Sequence, residues 1–229
     1  MNHPFFNRIQ YLFRLITKGK IHLVWKAFST RIYNNWLSFG YKRDLNDPTE
    51  KPRTLLKLDI RVANDDDEKY FIENYKDGLI NQFETCYVGI TKNDDPCCRL
   101  WIIDDTQNDK LQSAWKDIFP TIKPNEVLFE NLFTIPKYRG FGVMPYFMDE
   151  LCNIAKENGA DTAITFGAVN DLSTLRSYSY AGFKPYVVRR KKWFLFKRTV
   201  TFEPIPEDLM AYYEKNAMTG KRLPKKKKD

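Results

Sequence analysis

Phe133-Thr134-Ile135-Pro136-Lys137-Tyr138-Arg139-Gly140-Phe141-Gly142-Val143-Met144 is the stretch on which the reading of this chain turns. Val127–Ile135 before it reads as a strand. After it, Met144, Phe147, Met148, Leu151, Ile154 and Ala155 form one apolar stripe at helical spacing, which predicts a helix over 144–158. Pro145 suits its first turn and Gly159 its stop. The loop between them has two glycines, which let the backbone turn tightly and let an anion approach closely. The first amides of a helix have no partner within it, and the helix dipole favours negative charge there. Arg139 adds a cation, so the loop is suited to a phosphate. A P-loop would need GxxxxGK[ST], which is absent, and a GxGxxG dinucleotide loop would need glycine where Pro145 stands.

Working outward, Leu56, Leu58 and Ile60 alternate as in a strand, and Asp65–Glu68 place acids at the start of a helix over 66–75. A short helix over 77–83 follows. Cys86–Thr91 and Cys98–Asp104 read as strands joined by a turn at Asn93–Pro96. Residues 109–119 read as a helix, Thr162–Ala168 as a strand, Ser173–Ala181 as a helix, and Tyr186–Arg190 and Trp193–Phe202 as strands. The alternation after residue 54 predicts a mixed α/β body. Ahead of it, bulky apolar and basic residues at helical spacing predict two amphipathic helices, 4–18 and 21–38, and Asp47–Arg53 reads as a polar linker. The expected domains are a basic helical extension over 1–45, a catalytic body over 54–203, and a helix with a polybasic tail over 204–229.

The 229 residues, 43% of them hydrophobic, suffice for a buried core. No window approaches the roughly 20 apolar residues of a membrane span. Arg8, Arg14, Lys18 and Lys20 interrupt any secretory signal, so the protein is expected in the cytoplasm, with the inner face of a membrane as an alternative site. The four cysteines lack metal-binding spacing and the only histidines are His3 and His22, so neither a metal site nor a disulfide framework is expected. Net charge is +8, distributed as +7 over 1–44, +6 over 189–198 and +5 over 218–229, leaving −10 for the rest. Such segregation points to an anionic partner.

The run 134–144 resembles the strand-to-helix signature of the GNAT superfamily of acyl-CoA N-acyltransferases, V-x-P-x-Y-R-G-x-G-[ILV]-[GA]. Thr134 stands in place of the usual aliphatic residue and Met144 in place of the final small one. Asn170 after the next strand, then Tyr178-Ser179-Tyr180-Ala181-Gly182-Phe183, is similar to the second stretch of the family, with one extra residue between Asn and Tyr. The resemblance covers roughly residues 54–203. It implies a largely antiparallel GNAT-like sheet flanked by helices, and acetyl-CoA as acyl donor held by Phe133, Thr134, Ile135, Arg139, Gly140, Phe141, Gly142, Val143, Met144 and Asn170. It also implies direct attack by a primary amine of a small molecule or amino sugar.

In that reading Tyr178 is the acid for the departing thiolate, with Tyr180 as the alternative. Glu130 is the candidate base; by strand alternation it shares a face with Leu132 and Thr134. Structural roles for the same residues are a tyrosine packed beneath the pocket, a salt-bridged Glu130, and an Asx turn at Asn170. Long-chain acyl-CoA or an acyl carrier protein is the alternative donor, and a non-catalytic GNAT-like module the alternative function. Residues 1–44 suit an anionic membrane surface, packing on the body, or a homodimer contact. No sequence signature supports nucleic-acid binding. Arg189–Trp193 reads as a basic turn, with contact to an acidic acyl carrier protein as the alternative.

Overall fold

The computed structural model describes residues 21–71, 83 and 85–217. Helix α1 (Ile21–Ile32) leads into β1 (Tyr33–Asp44), then β2 (Leu58–Val62), a 3-10 turn at Asp65–Asp67 and the short α2 (Glu68–Phe71). There follow β3 (Cys86–Thr91), β4 (Pro96–Ile103), α3 (Asn108–Trp115), β5 (Glu126–Thr134), a 3-10 turn at Pro136–Tyr138 and α4 (Val143–Glu157). The chain continues through β6 (Thr162–Ala168), α5 (Leu172–Tyr180), β7 (Lys184–Phe194), β8 (Lys197–Glu203) and α6 (Glu207–Asn216). The expected helix 4–18, the far end of the helix 66–75, the short helix 77–83 except Phe83, and the Lys225–Lys228 tail lie outside the described residues.

The eight strands form one sheet in the order β2-β3-β4-β5-β6-β1-β7-β8. The β2–β3, β3–β4, β4–β5 and β1–β6 pairs are antiparallel, while β5 and β6 are parallel, joined by the crossover through α4. The mixed α and β class, with a largely antiparallel sheet, is the one expected. By their contacts the described residues divide into two compact units: those within Ser38–Val188 together with 203–217, and 21–37 with Arg189–Phe202.

Two expectations are corrected. The helix expected over 21–38 stops at Ile32, so the helical reading of residues 1–45 does not hold for Tyr33–Asp44, which is a strand. Ser38↔Ala168 through Asp44↔Thr162 pair it with β6. Ser38, Phe39, Gly40 and Tyr41 are all buried. Covered on both faces, the strand lacks the polar alternation that marks a half-exposed one. The second correction concerns the basic run. Arg189–Trp193 is no turn; it lies within β7, and the chain reverses at Leu195 and Phe196.

In the larger unit, one apolar cluster joins Trp101, Ile103, Leu111, Leu128, Ile164 and Phe166. Helix α4 buries Phe147, Met148, Leu151 and Ala155 outside that cluster, with Phe147 beside Gly89 and Cys98 on the other face of the sheet. Arg43 on β1 meets Asp149 on α4 at 2.8 Å, with both side chains buried. It also donates to the Ala181 carbonyl at 2.7 Å and to Thr49 Oγ1 at 2.6 Å. One cation thereby ties the central strand, α4 and the α5–β7 corner. No helix of the described residues is long and apolar enough to cross a membrane.

Candidate active site

The site begins with an irregularity in β5. Trp101 pairs with Glu130, but Arg99 pairs with Phe133, so two steps on β4 face three on β5. The extra residue is a β-bulge, and Asn131 has φ +55°. A bulge bends its strand and increases its twist. The consequence appears on the other side of β5. Its parallel ladder with β6 runs from Glu126↔Thr162 to Phe129↔Thr165 and stops there, although β5 continues to Thr134 and β6 to Ala168. The two strands therefore part, and the fork opens towards the loop after β5.

The bulge also corrects one site expectation. Paired residues of neighbouring strands lie on one face, and Trp101 and Arg99 are two apart on β4. Glu130 thus shares a face with Phe133, while Thr134, paired with Cys98, is on the other. Simple alternation, which grouped Glu130 with Thr134, fails because the extra residue reverses the phase. Glu130 is half-buried on the face of Trp101.

The loop follows the fork directly. Its 3-10 turn is anchored by Tyr138, whose hydroxyl donates to Asp95 at 3.1 Å. Arg139 Nε donates to the Thr134 carbonyl at 3.0 Å, and its guanidinium lies over the Phe133 ring at 5.7 Å. The rest of that exposed side chain is held at the loop surface. Gly140 and Gly142 have φ of +82° and +73°. Gly142 is the N-cap of α4 and offers no side chain to its amides. Among the described residues, the amides of Gly140, Phe141, Gly142, Val143 and Met144 donate to no acceptor. Helix α5 makes the contrast: Asp171 caps it, accepting from Ser173 N and Thr174 N at 3.1 Å.

A strap crosses the loop. Phe141 O accepts from Leu55 N at 2.9 Å and from Thr54 Oγ1 at 3.1 Å. A Cβ on Gly142 would strike the Arg53 carbonyl. The strap, Glu50–Leu58 with Tyr146, lines an open cleft of about 620 Å³. Lys51 of the strap is paired with Glu150 of α4.

Tyr178 is buried, at 5% exposure. A Cβ on Gly167 would lie 3.3 Å from its ring, so the ring packs on β6 beyond the last β5–β6 pair. Gly167 alternates with Phe166, which joins the cluster of Trp101; Tyr178 and Glu130 therefore belong to opposite faces of the sheet. Tyr180 lines a cleft with Lys42, Thr49 and Lys184. Asn170 is exposed in the turn after β6, and Asp171 rather than Asn170 makes the capping Asx turn.

Two residues escaped the reading of the sequence. Tyr41 crosses the Tyr178 ring at 5.1 Å and 87°, with its hydroxyl buried and lacking a partner. Burial, then the neighbouring Tyr178 and Tyr213, push its ionisation far above the usual phenol range. Asn131 is the other; the break it makes inside a strand was its only signal. The cysteines are buried free thiols. Among the described residues no group of three His, Cys, Asp or Glu is placed to hold a metal.

No family model and no curated protein matches the chain. Solved structures do. A Drosophila protein is similar at 12% identity over 78% of this chain and 59% of its own, with a TM-score of 0.51. The GCN5-related glucosamine N-acetyltransferase region of a fungal multi-domain β-N-acetylglucosaminidase is similar at 12% identity, over 75% of this chain and 22% of that one, also at 0.51. A GNAT-family acetyltransferase from Colwellia psychrerythraea matches at 15% identity over 80% and 62% of the two chains, at 0.47. With the forked sheet and the loop after β5, the chain has the fold of the GNAT superfamily of acyl-CoA N-acyltransferases.

Proposed function

We propose that the protein is an acyl-CoA-dependent N-acyltransferase that transfers acetyl to a primary amine of a small molecule. The observation that carries this reading is the row of five unpartnered amides, Gly140–Met144, at the head of a 15-residue helix and beside the β5–β6 fork. Backbone donors, helix dipole and Arg139 together fit a pyrophosphate. The fork suits an extended thioester arm, because the strands part where a third extended chain would run.

In this reading Phe133, Thr134 and Ile135 flank the thioester arm, Arg139–Met144 hold the pyrophosphate, and Asn170 hydrogen-bonds the donor. Acetyl-CoA supplies an activated acyl carbon. Glu130 takes a proton from the amine, directly or through water, as nitrogen bonds to that carbon. When the carbon–sulfur bond breaks, Tyr178 gives its phenolic proton to the thiolate. The placement of the two groups on opposite faces of the sheet supports this division, since acceptor and donor would then enter from different sides.

Isothermal titration with CoA and acetyl-CoA tests the reading. Micromolar binding by the parent, weakened at least about tenfold by Arg139→Glu, is expected. Absence of binding by both CoA and acetyl-CoA sinks it. For the acceptor, a panel of amines incubated with labelled acetyl-CoA begins with hexosamines, because the fungal region similar in fold is named for glucosamine.

A further inference from the structure

The β7–β8 hairpin reverses at two consecutive bulky residues in the left-handed region, Leu195 at φ +44° and Phe196 at +66°. Two-residue hairpin turns of this kind favour Asn-Gly, because a side chain at positive φ is strained. Here the strained positions carry apolar side chains that are 62% and 50% exposed, beside an exposed Phe194. Neither strain nor exposure serves the packing of the hairpin itself.

The end of α1 holds this tip. Leu195 N donates to Ile32 O at 2.9 Å, Phe196 N to Arg31 O at 2.8 Å, and the Phe28 and Phe196 rings meet edge to face at 5.1 Å. Trp25, stacked on Phe28, is 69% exposed. Among the described residues, nine of the fifteen large exposed apolar side chains belong to the unit formed by 1–37 and Arg189–Phe202. The described residues of that unit, 21–37 and 189–202, contain eight Lys or Arg and no Asp or Glu. Lys191 shows the crowding: burial, then Arg189 and Arg198, lower its proton affinity. A bound anion would relieve that repulsion.

We infer that the β7–β8 tip, with the α1 residues packed on it, docks on an anionic lipid bilayer. Hydrocarbon and aromatic side chains at the apex, with Lys192 and Lys197 just behind, follow the depth order of a membrane surface: acyl boundary first, headgroup phosphates next. Trp25, Trp36 and Tyr33 supply the amphipathic rings that favour this interface. A nucleic acid is the weaker fit, since Leu195 at the apex offers no stacking face and a duplex or strand presents its phosphates first.

The inference does not rest on the acyltransferase reading, and its readout needs no turnover. The whole 229-residue chain is sedimented with phosphatidylcholine vesicles, with and without phosphatidylglycerol, at low and high salt. Binding only where phosphatidylglycerol is present, weakened by salt, is expected. Leu195→Asn with Phe196→Gly relieves the strained turn while giving up the Phe28 ring contact, so melting should stay close to that of the parent while vesicle affinity falls at least about tenfold. Lys192→Glu with Lys197→Glu, both exposed, gives a second reading and should remove the salt-sensitive part of binding. The inference is overturned by equal binding to both vesicle types, by no binding, or by tip variants that bind like the parent. A single-stranded oligonucleotide that displaces the vesicles would also overturn it. So would a dimer in sedimentation velocity that the tip variant abolishes.

Discussion

Gly140 and Gly142 have similar backbone angles but different surroundings, and this separates backbone strain from collision. A Cβ at 140 meets nothing within 4 Å, whereas one at 142 strikes the Arg53 carbonyl. Gly140→Ala is expected to cost about 1 kcal/mol, the strain of a positive φ alone. Gly142→Ala adds displacement of the strap, so its melting midpoint should fall clearly further; equal losses would mean that the strap yields freely. For the chemistry, Glu130→Gln should lower kcat/KM by about 10²-fold or more and remove the acid limb of its pH profile, leaving CoA affinity unchanged. A retained acid limb would show that another group takes the amine proton. Tyr178→Phe should lower kcat without raising KM for acetyl-CoA, because the ring's packing against Tyr41 survives the change.

Among the elements, the Arg43–Asp149 pair joins β1 to α4, and Arg43→Met leaves a buried carboxylate without its cation. A loss of about 3–5 kcal/mol is expected from denaturant unfolding, with the Asp149→Leu/Arg43→Met double variant recovering much of it. Asp67 is a pH-dependent case. Burial alone would raise its pKa, but hydrogen bonds from Arg61 at 2.6 and 2.8 Å and from Asn64 N hold it below the usual carboxylate range. A depressed folded pKa contributes stability above the unfolded value of about 3.9, lost as pH falls through the folded one. Asp67→Asn should therefore be less stable than the parent at neutral pH, with the gap closing below about pH 4 in acid titrations. The elements also show what a sequence reveals. β6 was legible residue for residue because Gly159–Asp161 and Asn170–Asp171 bound a short run, and α4 within one because a one-faced helix imposes a clear period. β1 was not legible, since burial of Ser38–Tyr41 on both faces erases alternation. The hairpin turn was missed because Leu195 and Phe196 carry no turn chemistry, so the reversal was sought in the basic run. The loop was legible because glycine spacing is local. The β5 bulge reverses faces through a long-range register, and no local pattern gives that.

For the whole molecule, charge and sheet connectivity matter most. A unit whose described residues carry eight charges, all of one sign, repels itself, so added salt should raise melting at low ionic strength more than it does for a balanced protein. A calorimetric scan from low to moderate salt tests this, and a flat response would show that the charges are already neutralised within the chain. The forked ladder has a mechanical meaning as well. Only four register pairs, from Glu126↔Thr162 to Phe129↔Thr165, stitch the β2–β5 half of the sheet to β6. That seam is short, and a strand pair normally shares its load over more bonds. A ligand lodged in the fork would act as a rivet across the seam. At a hundredfold excess over its Kd, a bound ligand adds about 2.7 kcal/mol of stability. The protection would be local, concentrated in the amides of Leu128 and Phe129 and of Thr165 and Phe166 during hydrogen exchange. Uniform slowing, or slowing at α4 alone, would mean that the ligand grips one side and leaves the stitching as it was.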